Sequence, residues 1–186
     1  MSMTHSTPVP RRVLLCGAAL GLAGLALRPR RLPANDTTQN EITRSGEAIH
    51  QERQFKAPCA RVYRALTDSA QFEKLTQLSG VMHGAAMAQM RSPTAISTEP
   101  GGAFTLFGGY IVGRQLELAP AERMVQAWRA HSWPAGVYSI ARFALGGTGD
   151  TTLLVFDHEA FPHGEAGHLA AGWQEHYWGP LAQYLA

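Results

Sequence analysis

Apolar side chains in the middle of this chain recur at every second position, a pattern that predicts β-strands. It is clearest at Tyr110, Val112, Leu116 and Leu118. Segments of similar character precede and follow, and tight turns rich in glycine or proline separate them. Consecutive strands joined by tight turns predict an antiparallel meander. The expected strands are 48–56, 94–99, 103–107, 110–118, 123–131, 137–145 and 151–159.

Two short helices are predicted between the first strand and the rest of the sheet. Pro58 suits the first turn of the first helix. Asp68, followed by Gln71 three residues later, is typical of a capping box that opens the second helix. The apolar residues expected on the inner faces of the two helices are Val62, Ala65, Leu66, Phe72, Leu75 and Leu78.

The period changes to that of a helix at the end of the chain, over residues 165–185. One helix face carries residues at steps of three, four and seven, namely Leu169, Trp173, His176, Tyr177 and Tyr184. A face with several large rings must pack against a large curved surface. We therefore expect an α+β fold in which a long C-terminal helix lies across a curved antiparallel sheet of six to seven strands.

Two local features of this helix carry further expectations. Pro180 lacks an amide hydrogen and its ring clashes with a carbonyl of the preceding turn, which predicts a kink. Trp173 lies at mid-helix, where Gly172 is expected to allow close approach to the sheet and Trp128 is its expected contact. Trp178 falls on the opposite side of a regular helix, so its truncation is expected to cost less than about 1.5 kcal/mol.

The aromatic helix face has two interpretations. In the first, it is ordinary core. In the second, the helix only partly fills the concave side of the sheet and leaves a pocket for a ligand. The segment 80–90, interpreted as loop, loose helix or lid, is a candidate pocket wall because methionines such as Met87 and Met90 line adaptable ligand sites. The alternative is a flexible connection whose methionines fill a gap.

Residues 1–34 predict an export signal. Arg11 and Arg12 precede an apolar run over 13–27, which is shorter than the roughly 20 residues that span a bilayer. A basic start, a short apolar run and a small-residue end are typical of export signals, and the arginine pair resembles a twin-arginine signal. We expect a periplasmic or extracellular protein, or one anchored by an uncleaved signal. Residues 35–47 are predicted to be a linker and 48–186 the folded domain.

The leader also accounts for the basic charge of the whole chain. The 186 residues carry 16 basic and 14 acidic side chains, a net charge of +2. Residues 1–34 contain five arginines and no acidic residue, so the remainder holds 11 basic and 14 acidic residues, net −3. The predicted domain therefore gives no support for nucleic-acid binding. It retains a single cysteine, Cys59, so it cannot form an internal disulfide.

Candidate catalytic and metal-binding residues are few. His158, His163, His168 and His176 gather toward the C-terminus, but a zinc site needs three or four converging ligands. We interpret them as solvated or capping histidines. Cys59 is interpreted as a helix-start residue rather than a nucleophile. We expect no catalytic constellation, no cofactor and no metal.

Arg114 lies among apolar residues of a predicted strand. If its strand face points inward, the guanidinium lies in an apolar cavity and requires a partner, either a ligand carboxylate or Glu99. The alternative is that the side chain reaches the rim of the sheet and stays in water. A second functional hypothesis uses this arginine: a cyclase- or hydrolase-like enzyme with His131 or His176 as general base.

Several short motifs follow one another along the domain: VYRALTD (62–68), PGGAF (100–104), Gly113 with LAP (118–120), WRAHSWPAG (128–136) and GW (172–173). In this order they resemble the activator of heat-shock-protein-90 ATPase homologue family, and 128–136 resembles the C-terminal domain of the eukaryotic co-chaperone. The order of elements is similar to the helix-grip fold of the START-like superfamily, also called SRPBCC or Bet v 1-like. The resemblance covers roughly residues 49–185.

This resemblance implies a cavity between helix and sheet that binds apolar small molecules and catalyses a reaction only in some members. Our first hypothesis is therefore binding of an apolar or amphipathic small molecule, with no nucleic acid and with membrane contact only through the leader. The third hypothesis, a chaperone-activating interaction module, is opposed by the predicted export and by the lack of the co-chaperone's N-terminal domain, so we expect no chaperone partner. The candidate cavity residues are Met87, Met90, Phe104, Tyr110, Arg114, Trp128, Trp133, Phe143, Phe156, Trp173, His176 and Tyr177.

Overall fold

The computed structural model describes residues 46–80 and 90–186. Its strands form one antiparallel sheet in the order β1-β7-β6-β5-β4-β3-β2. Strands β2 to β7 form the predicted meander, and β1 pairs with β7 at the far edge. The strands are β1 (Ala48–Phe55), β2 (Ala95–Ile96), β3 (Ala103–Leu106), β4 (Ile111–Ala119), β5 (Arg123–Ala130), β6 (Ser139–Gly146) and β7 (Thr152–Glu159).

The helices confirm the predicted helix-grip architecture. Helices α1 (Cys59–Thr67) and α2 (Ser69–Leu78) follow β1, and the Gln71 amide donates to the Asp68 carboxylate over 2.9 Å as at an N-cap. The predicted capping box is only half formed, because the Asp68 amide bonds to Arg64 O rather than to the Gln71 side chain. The C-terminal helix consists of α3 (Ala166–Trp173), a π turn (Gln174–Trp178) and α4 (Gly179–Leu185), and it packs on the concave side of the curved sheet.

The predicted export signal and Met87 lie outside the described residues, as does most of the predicted linker. Within 46–80 and 90–186, no helix is both long and apolar enough to cross a membrane.

Trp173 is the centre of the core between helix and sheet. Its ring lies 4.3 Å from that of Phe156, 5.7 Å from that of Phe143 and 5.6 Å from that of Trp128, measured between centroids. The predicted contact between Trp173 and Trp128 is therefore confirmed. The sheet offers these rings because alternate residues of β5, β6 and β7 point toward the helix.

His158 ties the same tryptophan to the sheet by hydrogen bonds. The Trp173 indole N–H donates to His158 Nδ1 over 3.0 Å, and His158 Nε2 lies 2.6 Å from the Ser139 hydroxyl. The Ser139 hydroxyl in turn donates to the carbonyl of Trp128, so a neutral imidazole with its hydrogen on Nε2 satisfies every member. The interpretation of His158 as a solvated histidine is wrong, because strand alternation places it inward and fully buried.

The helix is irregular where Pro180 predicts it to be. Pro180 has no amide hydrogen to offer the carbonyl of His176, and the preceding turn widens to a π turn in which the Gly179 amide bonds to Gln174 O, five residues back. The wider turn changes the face on which Trp178 lies. In a regular α-helix it would lie about 140° around the axis from Trp173.

The expectation that Trp178 lies away from the core is therefore wrong. Its side chain is buried, and its ring stacks on that of Trp173 with centroids 5.6 Å apart and an interplanar angle of 19°. Its indole N–H donates to the Gln51 side-chain oxygen on β1. Gln51 also donates to Ala170 O over 3.1 Å, so one glutamine of the edge strand holds the helix both before the π turn and at its last residue.

We predict that Trp173→Ala and Trp178→Ala are both severely destabilising, each lowering the free energy of unfolding by about 3–5 kcal/mol because each removes a buried ring and leaves a cavity. Chemical denaturation of the two variants measures the losses. Leu116→Ala is the control, because Leu116 is 48% exposed and should lose no more than about 0.5 kcal/mol. A loss below about 1.5 kcal/mol for Trp178→Ala would contradict the placement of that ring.

We also predict a pH dependence of stability from His158. Burial lowers its pKa from 6.5 to about 3, so between these values the unfolded chain binds a proton that the folded protein does not. The free energy of unfolding should therefore fall as pH decreases below 6.5, by up to about 1.4 kcal/mol per pH unit, and this contribution should be constant at higher pH.

The comparison that isolates this effect is His158→Asn, measured by denaturation between pH 4 and pH 8. His50, whose pKa is raised by its hydrogen bond to Asp157, contributes a slope of opposite sign that is the same in both proteins. The variant should lose stability overall but show a shallower decrease at low pH. Identical slopes would show that His158 does not stay neutral in the folded state.

Candidate functional site

A partly open cavity of about 280 Å³ lies between the first half of the C-terminal helix and the adjoining ends of β4 and β5. Its walls are mostly aromatic. The sheet side and the loops next to it contribute Phe107, Tyr110, Ile111, Trp128, Ala130, Ser132 and Trp133. The helix side contributes Glu165, His168, Leu169, Gly172, Trp173, His176 and Tyr177.

Three residues of the cavity lining each carry a polar atom that forms no hydrogen bond in the protein, namely Trp128 Nε1, Tyr177 Oη and His176 Nδ1. All three atoms are inaccessible to water, so they lie behind the cavity surface rather than on it. Leaving a buried polar group unpaired costs about 1–3 kcal/mol. The Gln115 side-chain nitrogen, outside the cavity, is unpaired in the same way, so such atoms do not by themselves mark a binding site.

Tyr177 is protonated at neutral pH. Burial raises the pKa of its hydroxyl, and the nearby Trp128 side chain opposes this to a smaller extent. The indole N–H is close enough to the hydroxyl to lower its pKa as a hydrogen-bond donor does, although the two groups do not meet in strict hydrogen-bond geometry. Because the hydroxyl oxygen is inaccessible to water, this group faces the core rather than the cavity.

The mouth of the cavity is polar. Glu165 is half-buried, whereas His168 and Ser132 are exposed. The Tyr110 hydroxyl lies 3.5 Å from that of Ser132 across the opening. No lysine or arginine of the described ranges lines the cavity, and Glu165 at the entrance is the carboxylate of its lining.

Phe107 forms part of the wall through an unusual backbone conformation. Its φ of 49° is in the left-handed region, which is uncommon for a bulky residue and is tolerated where surrounding packing enforces it. Its ring is held edge-on by those of Phe72 and Tyr177, at 5.5 and 5.2 Å. The packing that enforces this conformation also fixes the Phe107 ring beside that of Tyr177.

The structure brings together half of the predicted cavity residues: Tyr110, Trp128, Trp133, Trp173, His176 and Tyr177 line the cavity. Phe104, Phe143 and Phe156 are buried in the core and are not part of its lining. Met90 packs half-buried against the core, and Met87 falls among the residues that are not described.

The interpretation of Arg114 as a cavity residue is wrong. Its side chain is exposed and donates to Gly101 O over 2.8 Å. The opposite face of β4 is the inner one because the ring of Phe104 covers Gly113, where a Cβ would lie 2.3 Å from that ring. Tyr110 still reaches the cavity because it ends a helical turn rather than beginning the strand.

The catalytic hypothesis loses two of its three residues. Arg114 and His131 are both exposed and neither lines the cavity, which leaves His176 as the general-base candidate at the wall. Within the described ranges, no group of three or more histidine, cysteine, aspartate or glutamate residues could hold a metal ion.

Gly172 also differs from expectation. A Cβ built on it meets no atom within 4 Å, so it does not bring the helix close to the sheet but leaves space in the cavity wall. The sequence contains a signal for the helix residues that line the cavity. Glu165, His168, Gly172 and His176 follow one another at steps of three and four, the spacing of one helix stripe, and this stripe passes along the opening.

The family model "Activator of Hsp90 ATPase homolog 1-like protein" matches residues 56–186. Uncharacterized protein C1711.08 of Schizosaccharomyces pombe is 29% identical over 133 residues, 72% of this chain and 35% of that protein. Activator of 90 kDa heat shock protein ATPase homolog 1 of Homo sapiens is 26% identical over 92 residues, 50% of this chain and 27% of that protein. The chain thus spans about a third or less of the length of these relatives.

Solved structures agree on the fold. PFC0360w, described as an HSP90 activator from Plasmodium falciparum, superposes with a TM-score of 0.62 at 23% identity and covers 75% of this chain and 96% of its own. CalU16 from Micromonospora echinospora superposes with a TM-score of 0.57 at 21% identity, covering 75% and 76%. With the match over residues 56–186, the chain belongs to the Activator of Hsp90 ATPase homolog 1-like protein family.

Proposed function

We propose that this protein binds a small, largely apolar molecule in the cavity between the C-terminal helix and the sheet. The observation that carries the proposal is a partly open cavity whose walls are mostly aromatic and whose mouth is lined by the polar side chains of Ser132, Glu165 and His168. A few placed polar groups in an apolar cleft are typical of ligand sites.

The size of the cavity limits the ligand. Its volume of about 280 Å³ lies just below the range of about 300–1,000 Å³ typical of small-molecule sites. A compact molecule of two or three rings fits such a space, whereas a long acyl chain would have to extend through the mouth. The proposal therefore favours compact ring compounds over extended lipids.

We predict that filling the space at Gly172 weakens binding strongly. In Gly172→Leu the new side chain enters open space at the cavity wall and competes with the ligand, so affinity should fall about tenfold or more. The probe is N-phenyl-1-naphthylamine, a neutral compound whose fluorescence increases in apolar surroundings. Titration of the full chain gives the affinity.

Gly167→Leu is the matched control. Gly167 belongs to the same helix, its Cβ position is equally open, and it does not line the cavity. Replacing glycine in a helix should stabilise both variants, so neither result can be attributed to unfolding. Binding that is equally strong in all three proteins, or absent from the unsubstituted chain, would contradict the proposal.

We further propose that the protein is exported. This proposal is supported by the sequence alone: Arg11 and Arg12 before a short apolar run, in a leader without acidic residues. Export bears on the activity suggested by the human and Plasmodium relatives, which are named as activators of the heat-shock-protein-90 ATPase and of HSP90. An exported chain would not meet a cytosolic chaperone, so chaperone activation is the second candidate.

Fractionation of the native host distinguishes the two candidates. We predict that the protein is recovered outside the cytoplasm, and that changing both Arg11 and Arg12 to lysine retains it inside, because twin-arginine signals depend on that pair. Recovery of the unsubstituted protein in the cytoplasm, together with an Hsp90-type chaperone that co-purifies with it, would contradict export and favour the chaperone candidate.

A further inference from the structure

The cavity wall is built from aromatic rings more than from aliphatic side chains. Phenyl, phenol and indole rings come from Phe107, Tyr110, Trp128, Trp133, Trp173 and Tyr177. Aliphatic side chains would bury a purely apolar ligand equally well, because the hydrophobic gain depends on the apolar area removed from water. A ring face differs from an aliphatic surface in its negative quadrupole, which attracts cations. The composition of the wall therefore favours a ligand that combines apolar surface with positive charge.

Glu165 adds a negative charge at the mouth of this cavity. Its side chain is half-buried and does not cap α3, the helix that begins directly after it. Within residues 46–80 and 90–186 it has no ion-pair partner. The N-terminus of α3 contributes about half an elementary positive charge, which the full charge of the carboxylate exceeds. The mouth therefore attracts cations.

Positive side chains do not offset this charge from within the cavity. No lysine or arginine of the described ranges is part of the lining. Arg129 lies close in sequence, but its guanidinium donates to the carbonyls of Trp133 and Pro134 and does not line the cavity. An anionic ligand would therefore enter without a counter-ion and beside Glu165, which is costly.

We propose, building on the proposed function of the same cavity, that its ligand is an organic cation: a compact ring compound that bears an ammonium group. The ring body occupies the aromatic cavity, and the ammonium head lies at the mouth beside Glu165. Tyr110 lines the same opening, where its hydroxyl is 3.5 Å from that of Ser132, so its ring is the lining ring assigned to the head. Aromatic rings with a nearby carboxylate recognise an ammonium group by charge without needing a hydrogen bond from it.

Three compounds of one shape test the sign of the charge. All carry a 1-naphthylmethyl group, which is joined to a trimethylammonium head in the first, to an uncharged tert-butyl head in the second and to a sulfonate head in the third. Each is measured by displacement of N-phenyl-1-naphthylamine from the full chain. The measurement is made at pH 8.5, where histidine side chains are ordinarily uncharged, because two histidines line the cavity.

We expect the ammonium compound to bind at least as tightly as its tert-butyl isostere, and about threefold or more tighter than the sulfonate. Water holds an ion more strongly than an uncharged group, so a wall that offered apolar contact alone would bind the isostere most tightly. The ratio of the ammonium affinity to the isostere affinity therefore reports the charge recognition, and loss of folding would lower both affinities together.

Glu165→Gln tests the carboxylate. We expect this ratio to fall about twofold to fivefold, the range typical of an ion pair that water partly reaches, while the affinity for the isostere is unchanged. The matched control is Glu175→Gln. Glu175 belongs to the same C-terminal helix, is exposed and does not line the cavity, so its replacement changes the net charge equally and should preserve the ratio.

Tyr110→Leu tests the ring. The leucine keeps an apolar side chain at the mouth but removes the quadrupole, so the ratio should fall about twofold or more. In Tyr110→Phe the ring remains and only the hydroxyl is lost, and this variant should retain the ratio of the unsubstituted protein.

The outcomes separate the two proposals. If the isostere binds more tightly than the ammonium compound, and Gly172→Leu weakens both, the cavity is a ligand site but the cationic class is overturned. Tighter binding of the sulfonate, or a ratio that either Glu165→Gln or Tyr110→Leu leaves unchanged, also overturns the assignment. If neither the probe nor any of the three compounds binds, both the assignment and the proposed function fail.

Discussion

The packing of Trp173 against the sheet is the contact on which the rest of the structure depends. Its ring meets Phe143, Phe156 and Trp128 on the sheet side, and its indole N–H bonds to the buried His158. Hydrophobic burial supplies the driving force, while the hydrogen bond fixes the depth and rotation of the helix. Because the helix is fixed there, the residues one turn before and after Trp173 have a defined distance from the sheet.

The cavity follows from that constraint. On the far side of Trp173, the π turn enforced by Pro180 brings Trp178 into the core beside it, so that half of the helix is fully packed. On the near side, Gly172 places no side chain toward the sheet. The same helix therefore fills the groove at one end and leaves it open at the other. The rings of Tyr177 and Trp128 lie at the boundary between the two and form part of the cavity wall.

Periodicity was sufficient to predict the sheet, the two short helices and the aromatic face of the last helix, because each depends on local spacing. Which face of β4 points toward the core was not predictable from periodicity. Both of its faces carry apolar residues, and the choice is made by Phe104 lying over Gly113, a contact between strands. Trp178 was misplaced for a related reason: the proline indicated an irregular helix, but not that the irregularity would be a π turn. His168 was missed because it was considered only as a metal ligand, and Gly172 because it was expected to bring the helix close to the sheet.

The most direct test of the account is the tryptophan side-chain region of a ¹H–¹⁵N NMR spectrum of the full chain, recorded as N-phenyl-1-naphthylamine is added. The chain contains four tryptophans, so the indole signals can be assigned with single Trp→Phe variants. The rings of Trp128, Trp133 and Trp173 line the cavity, whereas that of Trp178 does not. Ring currents of the bound compound should therefore move the first three signals, and the Trp178 signal should move least. Movement that is largest at Trp178, or absent while the compound binds, would contradict the account.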